Sequence, residues 1–258
     1  MGGAAAILGR GLALALLLVS SLVRGTSGDV PTDAGRAFDD AARLYEQGQF
    51  AEAAAAYGRL ATNGVTTAAV WFNQGNAWFK AGRMGRAIAS YRHARALAPH
   101  DPDIAANLRL ARSKVAAAGG VVAGENPAAR AFAFFTAREW AGVAVVGVWF
   151  WFGLLIARQV WPKLRVRTAS SVWGLGGAAV AATALALASG LREGGEVVVV
   201  DVPQATARFG PLREAESAFT MPEGSEASVT DRKGDWVEVR DAAGRKGWLS
   251  LEQVLAMK

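Results

Sequence analysis

Two long stretches without a charged residue constrain the fold of this chain more than any other feature. Residues 140–156 and 171–191 are uninterrupted runs of uncharged, mostly apolar residues. A helix of about 20 apolar residues spans the roughly 30 Å hydrocarbon core of a bilayer, and the first run reaches that length only if Phe135 and Thr136 join it. Two buried helices of a soluble core are the alternative, but such helices seldom lack charge for so long. The sequence therefore predicts transmembrane helices over residues 140–157 and 171–191.

The loop between the two runs, residues 158–170, predicts how the chain is oriented. It contains four basic residues and no acidic residue. Such loops face the cytoplasm by the positive-inside rule, so the domains before and after the two spans are expected on the other side. Neither run contains an ionisable side chain that would mark a transport path. We therefore expect the spans to act as anchors.

The amino-terminal segment contains a candidate export signal, which is consistent with this orientation. Residues 11–23 form a short apolar run preceded by Arg10, which suits the core of an export signal better than a spanning helix. Residues 1–25 are predicted to be a signal peptide or an N-terminal anchor. The expected location is a bacterial inner membrane, crossed twice, with both soluble domains periplasmic or otherwise extracytoplasmic.

An internal repeat follows the amino-terminal segment. Shifting the sequence by one repeat length aligns Leu44 with Trp78, Gly48 with Gly82, Ala53 with Ala87 and Tyr57 with Tyr91. A period of about 34 residues, with small residues where helices cross and aromatic residues beside them, is typical of tetratricopeptide (TPR) repeats. Gly75 and Ala87 are expected to allow two helices to approach closely, while Trp78 and Tyr91 fill the space beside them.

A capping helix is predicted after the second repeat. Asp101 is a suitable N-cap and Pro102 suits the first helical position. The predicted all-α TPR solenoid therefore has two repeats plus this helix and covers residues 34–117. Residues 118–139 are expected to form a linker and an interfacial helix.

The hydrophobic pattern changes to a period of two after residue 196. Short β-branched runs separated by Lys233-Gly234 and by residues 241–244 predict several short strands, and hence a small all-β barrel over residues 196–258. Their order resembles that of bacterial SH3-like domains. In the segment DWVEVR, the alternation separates Val237 and Val239 from Trp236, which makes Trp236 a candidate exposed aromatic residue.

Composition argues against an enzyme. The chain has no cysteine and only two histidines among 258 residues, whereas one metal ion needs three or four donors. No phosphate-binding loop and no catalytic set is recognisable, so we expect no catalytic residue, metal or cofactor.

Basic charge is not concentrated in one patch: residues 34–116 hold 11 basic and 6 acidic residues, and residues 192–258 hold 9 basic and 12 acidic residues. Nucleic acid is therefore not an expected partner.

Together, the export signal, the TPR units with the segment WFNQGNAWFKAGR, the cap DPDIAANLR, two spans joined by a basic loop and a terminal SH3-like domain resemble the Bacteroides aerotolerance (Bat) family. The resemblance covers nearly the whole chain and depends on domain order more than on one motif. It implies membrane partners with von Willebrand factor A domains, a MoxR-type ATPase system, and a role in oxygen or stress tolerance.

TPR domains bind peptides or helices in a groove along the first helix of each pair. The repeat register gives eight candidates for this groove: Phe38, Tyr45, Phe72, Asn73, Asn76, Phe79, Lys80 and Asn107. Asparagine offers a donor and an acceptor to a peptide backbone, although these asparagines could equally bond neighbouring helices. Phe38 and Asp103 stand where chaperone-type TPR clamps carry lysine, so we do not predict binding of a terminal carboxylate.

The sequence thus predicts a multi-domain membrane protein without catalytic activity. We expect a scaffold or adaptor that binds protein partners through the TPR groove and through Trp236 of the SH3-like domain, in contact with the lipid bilayer. The alternative is a cell-wall module in which the SH3-like domain binds peptidoglycan.

Overall fold

The structure is a computed structural model that describes residues 32–122, 137–160, 176–178, 180, 181, 184 and 196–257. The predicted signal or anchor over residues 1–25 lies outside these residues. So do most of the predicted linker 118–139, most of the basic loop and most of the second predicted span.

Five helices form the first folded region: α1 (Thr32–Glu46), α2 (Phe50–Thr62), α3 (Ala68–Lys80), α4 (Met84–Leu97) and α5 (Pro102–Ala117). Short turns join α1 to α2 and α3 to α4, and the two turns are equivalent. Gly48 and Gly82, which stand one repeat apart, have φ values of 77° and 79°. Glycine adopts this left-handed conformation without steric cost, which explains why both turns use it.

The helices pack as the repeat predicts. A methyl group at Gly75 would lie 2.6 Å from the ring of Tyr91, so α3 and α4 approach each other closely only because residue 75 lacks a side chain. Ala87 and Tyr91 are buried in the core beside Trp78. Helix α5 begins at the expected cap, where the Asp101 carboxylate accepts hydrogen bonds from the backbone N–H groups of Asp103 and Ile104 at 2.9 and 3.2 Å. The predicted TPR-like region is confirmed.

The second folded region is a seven-stranded antiparallel sheet. Its strands are β1 (Val197–Val200), β2 (Gln204–Arg208), β3 (Ser217–Pro222), β4 (Glu226–Lys233), β5 (Trp236–Asp241), β6 (Lys246–Ser250) and β7 (Val254–Met257). They are arranged in the order β3-β2-β6-β5-β4-β1-β7. Val237 and Val239 point into the core and are fully buried, while Trp236 on the other face is partly exposed. The predicted SH3-like all-β domain is confirmed.

Helix α6 (Ala137–Val160) contains Glu139–Ala157, the one segment of the described residues that is long and apolar enough to cross a membrane. Its apolar side chains are largely exposed, among them Val146, Trp149 and Phe150. A bilayer would cover such a surface. The helix also meets the second apolar run: a methyl group at Gly176 would lie 2.9 Å from the indole of Trp151. The second span itself stays a prediction.

The β domain packs directly on α4 and α5. Val199 of β1 and Met257 of β7 lie in one buried cluster with Ile88 and Val115. A methyl group at Gly85 would lie only 2.2 Å from the carbonyl oxygen of Val200. The backbones of α4 and β1 are therefore in direct contact, and the two folded regions form a common core.

Ion pairs surround this apolar contact. Glu226, whose side chain is 1% exposed, accepts hydrogen bonds from Arg92 at 2.7 Å and from Arg112 at 2.7 and 3.0 Å. Burial alone raises the pKa of Glu226, but the hydrogen bonds and charges of the two arginines outweigh burial and lower its pKa below the ordinary value. Glu226 is therefore a buried carboxylate held between two helices of the TPR-like region.

A second group of charges extends the contact. Arg86 binds both carboxylate oxygens of Asp201 at 2.9–3.1 Å, and Arg83 lies 3.3 Å from a carboxylate oxygen of Glu223. Buried charges are stable only when they are paired and hydrogen-bonded. The buried Glu226 therefore fixes one orientation of the β domain on the helices, because a rotated domain would leave its carboxylate without partners. The partly exposed pairs of Arg83 and Arg86 add to this contact.

Candidate functional site

A pocket opens on the side of the TPR-like region formed by the first helices of the pairs. It has a volume of about 320 Å³ and is lined by Tyr45 of α1, Asn76, Phe79 and Lys80 of α3, Tyr91 of α4, and Asn107 and Leu110 of α5. This volume lies at the small end of the range for ligand pockets. The pocket therefore has room for a small ligand group such as one large side chain.

Two asparagines and a tyrosine form its polar centre. The Asn76 side-chain oxygen accepts a hydrogen bond from the Tyr91 hydroxyl at 2.8 Å and another from the Asn107 amide at 2.9 Å. Burial, with a smaller contribution from Tyr45, raises the pKa of Tyr91, so the hydroxyl stays protonated and remains a donor. Within the described chain, the amide N–H groups of Asn76 and the side-chain oxygen of Asn107 make no protein hydrogen bond.

Two lysines place positive charge in the pocket lining and beside it. Lys80 lines the pocket, and the Lys114 ammonium lies 4.9 Å from the ring centre of Phe79, which is a cation–π distance. Lys80 and Lys114 stand one repeat apart and are therefore equivalent positions of α3 and α5. Neither lysine forms an ion pair with another described residue.

Five of the eight predicted groove residues line this pocket: Tyr45, Asn76, Phe79, Lys80 and Asn107. Phe38 packs edge-on against Tyr57, with ring centres 5.3 Å apart. Phe72 packs on the buried cluster and lies 6.0 Å from the ring of Tyr91. Asn73 is partly buried and does not line the pocket. The structure therefore places Phe38 and Phe72 in the packing of the helices.

Two lining residues, Leu110 and Tyr91, are not among the groove candidates from the sequence. Leu110 stands one repeat after Asn76, so the register that selects Asn107 could also have found Leu110. The sequence assigns Tyr91 to the space between two helices, where its ring does lie, but its hydroxyl reaches the pocket. No sequence pattern indicates which end of a buried tyrosine meets a cavity.

The SH3-like domain presents a second candidate surface. Trp236 and Trp248 project from the outer face of β5 and β6, and Trp248 lies opposite Arg208 in the sheet. Phe209, which follows Arg208 in the chain, begins a loop. In this loop Phe209 and Leu212 are 69% and 62% exposed. The apolar contact with the helices is made by β1 and β7, so this aromatic and apolar surface lies outside that contact.

The two histidines have local structural partners. His93 stacks on Trp71 with ring centres 4.4 Å apart, and burial, followed by the nearby charge of Arg92, lowers its pKa. His100 bonds the Glu139 carboxylate at 3.0 Å. Across the described ranges, no three histidine or acidic side chains are grouped as a metal site would require.

Comparison with protein families supports both domains. Residues 38–102 match the tetratricopeptide repeat model and residues 201–254 match the bacterial SH3 domain model. No curated protein matches the chain significantly. The chain is therefore similar to TPR proteins in its helical region and to bacterial SH3 domains at its C-terminal end, and these similarities suggest protein–protein interaction or peptidoglycan binding.

Proposed function

We propose that this protein is a non-catalytic membrane adaptor that binds protein partners through the TPR pocket and the SH3-like surface. The observation that carries the proposal is the contact between the two domains. Helix α5 uses Asn107 and Leu110 for the pocket but Arg112 and Val115 for the β domain. The contact therefore leaves both candidate binding surfaces open and holds them in a fixed relation.

The same contact supports a two-span topology. Two domains that share a core must lie on the same side of a membrane, so the chain between residues 123 and 195 has to cross the membrane an even number of times. Helix α6 provides one crossing, and residues 171–191 provide the return. The close approach of Gly176 to Trp151 supports a helical hairpin, because small residues allow membrane helices to pack tightly.

The basic loop between the spans favours a cytoplasmic position for that loop. Both domains then lie on the outer side of a bacterial inner membrane, which requires the export signal predicted over residues 1–25. The resemblance to the Bat family supports a finer assignment. We place the protein among adaptors of the BatE type, in a complex with membrane proteins that carry von Willebrand factor A domains and with a MoxR-type ATPase system.

Removing a polar group of the pocket should release the partner. We expect Asn107→Ala to reduce the amount of partner that co-purifies with the tagged full-length protein in mild detergent by about fivefold or more, since a lost hydrogen bond at a buried site costs about 1–3 kcal/mol. Asn73→Ala is the matched control, because Asn73 occupies the equivalent repeat position but does not line the pocket. Equal partner recovery with both variants would contradict the assignment of the pocket.

The exposed aromatic surface of the SH3-like domain favours one second function, binding to peptidoglycan. In that case the full-length protein in detergent should sediment with purified cell-wall sacculi, and Trp236→Ala with Trp248→Ala should abolish sedimentation. The full chain is needed because an isolated SH3-like domain would expose Val199 and Glu226, which the helices cover. Sedimentation that is unchanged in the double variant would contradict wall binding through this surface.

A further inference from the structure

We infer that the ligand of the TPR pocket is an extended peptide segment in which a bulky apolar residue stands next to an aspartate or glutamate. The inference deepens the proposed function, since it assumes that the pocket binds a protein partner. Three properties of the pocket support it: an apolar slot, amide groups that no described residue bonds, and a positive edge that no described acidic residue neutralises.

The apolar slot lies between rings and an aliphatic side chain. Tyr45, Phe79 and Leu110 belong to three different helices and meet at the pocket. Leu110 is 49% exposed although it is large and apolar. A ligand side chain that enters the slot would cover Leu110, and the volume of about 320 Å³ leaves room for one bulky apolar side chain.

The polar centre suits a peptide backbone. The N–H groups of Asn76 and the side-chain oxygen of Asn107 remain available within the described chain, and they lie next to each other because Asn107 donates to Asn76. A peptide unit has one N–H and one carbonyl oxygen. The two asparagines can therefore pair with both groups of one extended residue while its side chain enters the slot.

The basic residues of the helices differ in whether they have acidic partners among the described residues. On the side that faces the β domain, Arg83, Arg86, Arg92 and Arg112 all pair with acidic residues of that domain. Lys80, which lines the pocket, and Lys114, which lies over the ring of the pocket residue Phe79, have no acidic partner among the described residues. Charge complementarity selects partners at interfaces, so the pocket edge selects a ligand carboxylate beside the apolar residue.

This carboxylate belongs to a side chain within the segment. TPR clamps that bind a terminal carboxylate carry lysine at two positions. In this chain those positions are Phe38 and Asp103. Phe38 packs on Tyr57 and Asp103 follows the cap of α5, so neither position offers a cation to a chain end. Lys80 and Lys114 lie two helical turns further along their helices than Asn73 and Asn107.

The inference can be tested by fluorescence anisotropy on the full-length protein in detergent at low salt. The probes are labelled, C-terminally amidated peptides with the sequence Gly-Ser-Glu-Phe-Glu-Gly-Ser and versions in which both glutamates are glutamine or lysine. We expect the glutamate peptide to bind about fivefold more tightly than the glutamine peptide, since exposed ion pairs contribute modestly. The difference should disappear at high salt.

Charge reversal provides the specific control. Lys80→Glu with Lys114→Glu should invert the order so that the lysine peptide binds most tightly, a gain that a misfolded protein cannot produce. Arg59→Glu changes an exposed charge on α2 and should leave the order unchanged.

Equal binding of the glutamate and glutamine peptides would overturn the inference but not the proposed function, whereas no binding of any peptide would contradict both. A further probe is the glutamine peptide with a free carboxyl terminus. If this peptide binds tightly while its amidated form does not, the assignment of the carboxylate to an internal side chain is overturned.

Discussion

Replacing Glu226 with alanine is expected to separate the SH3-like domain from the TPR-like region. Arg92 and Arg112 are 25% and 11% exposed and would lose the carboxylate that compensates their charge. Removing one partner of a buried ion pair typically costs about 3–5 kcal/mol. The contact can be measured after a protease site is inserted within residues 123–136, by asking whether the TPR fragment stays with a C-terminally tagged SH3-like fragment in detergent.

The matched control is Glu214→Ala, which removes an exposed acidic residue from the same domain. After cleavage, the TPR fragment should remain bound in the wild type and in the Glu214 variant, and it should be lost from the Glu226 variant. Retention of the fragment in all three proteins would show that the buried ion pairs do not hold the domains together.

The lowered pKa of Glu226 predicts the pH dependence of the contact. A carboxyl group whose pKa is lower in the packed state stabilises that state above its unfolded pKa, and the stabilisation is lost as the pH falls through the packed-state value. Retention of the fragment should therefore be constant at neutral pH and should decrease below the ordinary value of 4.5. Glu226→Gln should weaken the contact at neutral pH and remove the part of the acid dependence that Glu226 causes.

Replacing Gly85 with alanine should also separate the two regions, for a steric reason. The new methyl group would lie 2.2 Å from the backbone oxygen of Val200. No rotamer change can relieve a clash between a methyl group and a backbone oxygen, so α4 and β1 must move apart. Overpacking of this kind costs about 1–3 kcal/mol or more, and separation also exposes Val199 and the ion pairs. The cleavage assay should show loss of the TPR fragment.

Gly35→Ala is the control for this substitution. No atom of another described residue lies within 4 Å of the added methyl group at Gly35, and alanine is the better helix former. This variant should retain the fragment as the wild type does. A Gly85 variant that behaves like the Gly35 variant would contradict the close approach of α4 and β1.

Much of the fold could be predicted because it depends on local patterns. The period of the repeat places the turns at Gly48 and Gly82, and alternation in β5 separates Val237 from Trp236. The same register finds most of the pocket, since equivalent positions of a repeat face the same groove. Three of the eight candidates do not line the pocket: Phe38, Phe72 and Asn73. The two aromatic residues pack against a neighbouring helix instead.

The contact between the domains could not be predicted in the same way. Its signal is present in the sequence, since the helical region carries excess positive charge and the β domain excess negative charge. In a membrane protein, however, segments that do not touch each other can differ in net charge in the same way. The charge difference alone therefore does not indicate a contact. Arg92 and Arg112 lie on different helices, 134 and 114 positions before Glu226, so only the tertiary structure brings the three side chains together.

The most direct test of the account is cleavage of the chain from the outer side of the membrane. Protease added to intact spheroplasts should cut the site inserted within residues 123–136, and the TPR fragment should then co-purify with the tagged SH3-like fragment. This result requires both domains to lie outside and to remain in contact. A site protected in spheroplasts but cut in lysed cells, or two folded fragments that separate after cleavage, would contradict the proposed adaptor.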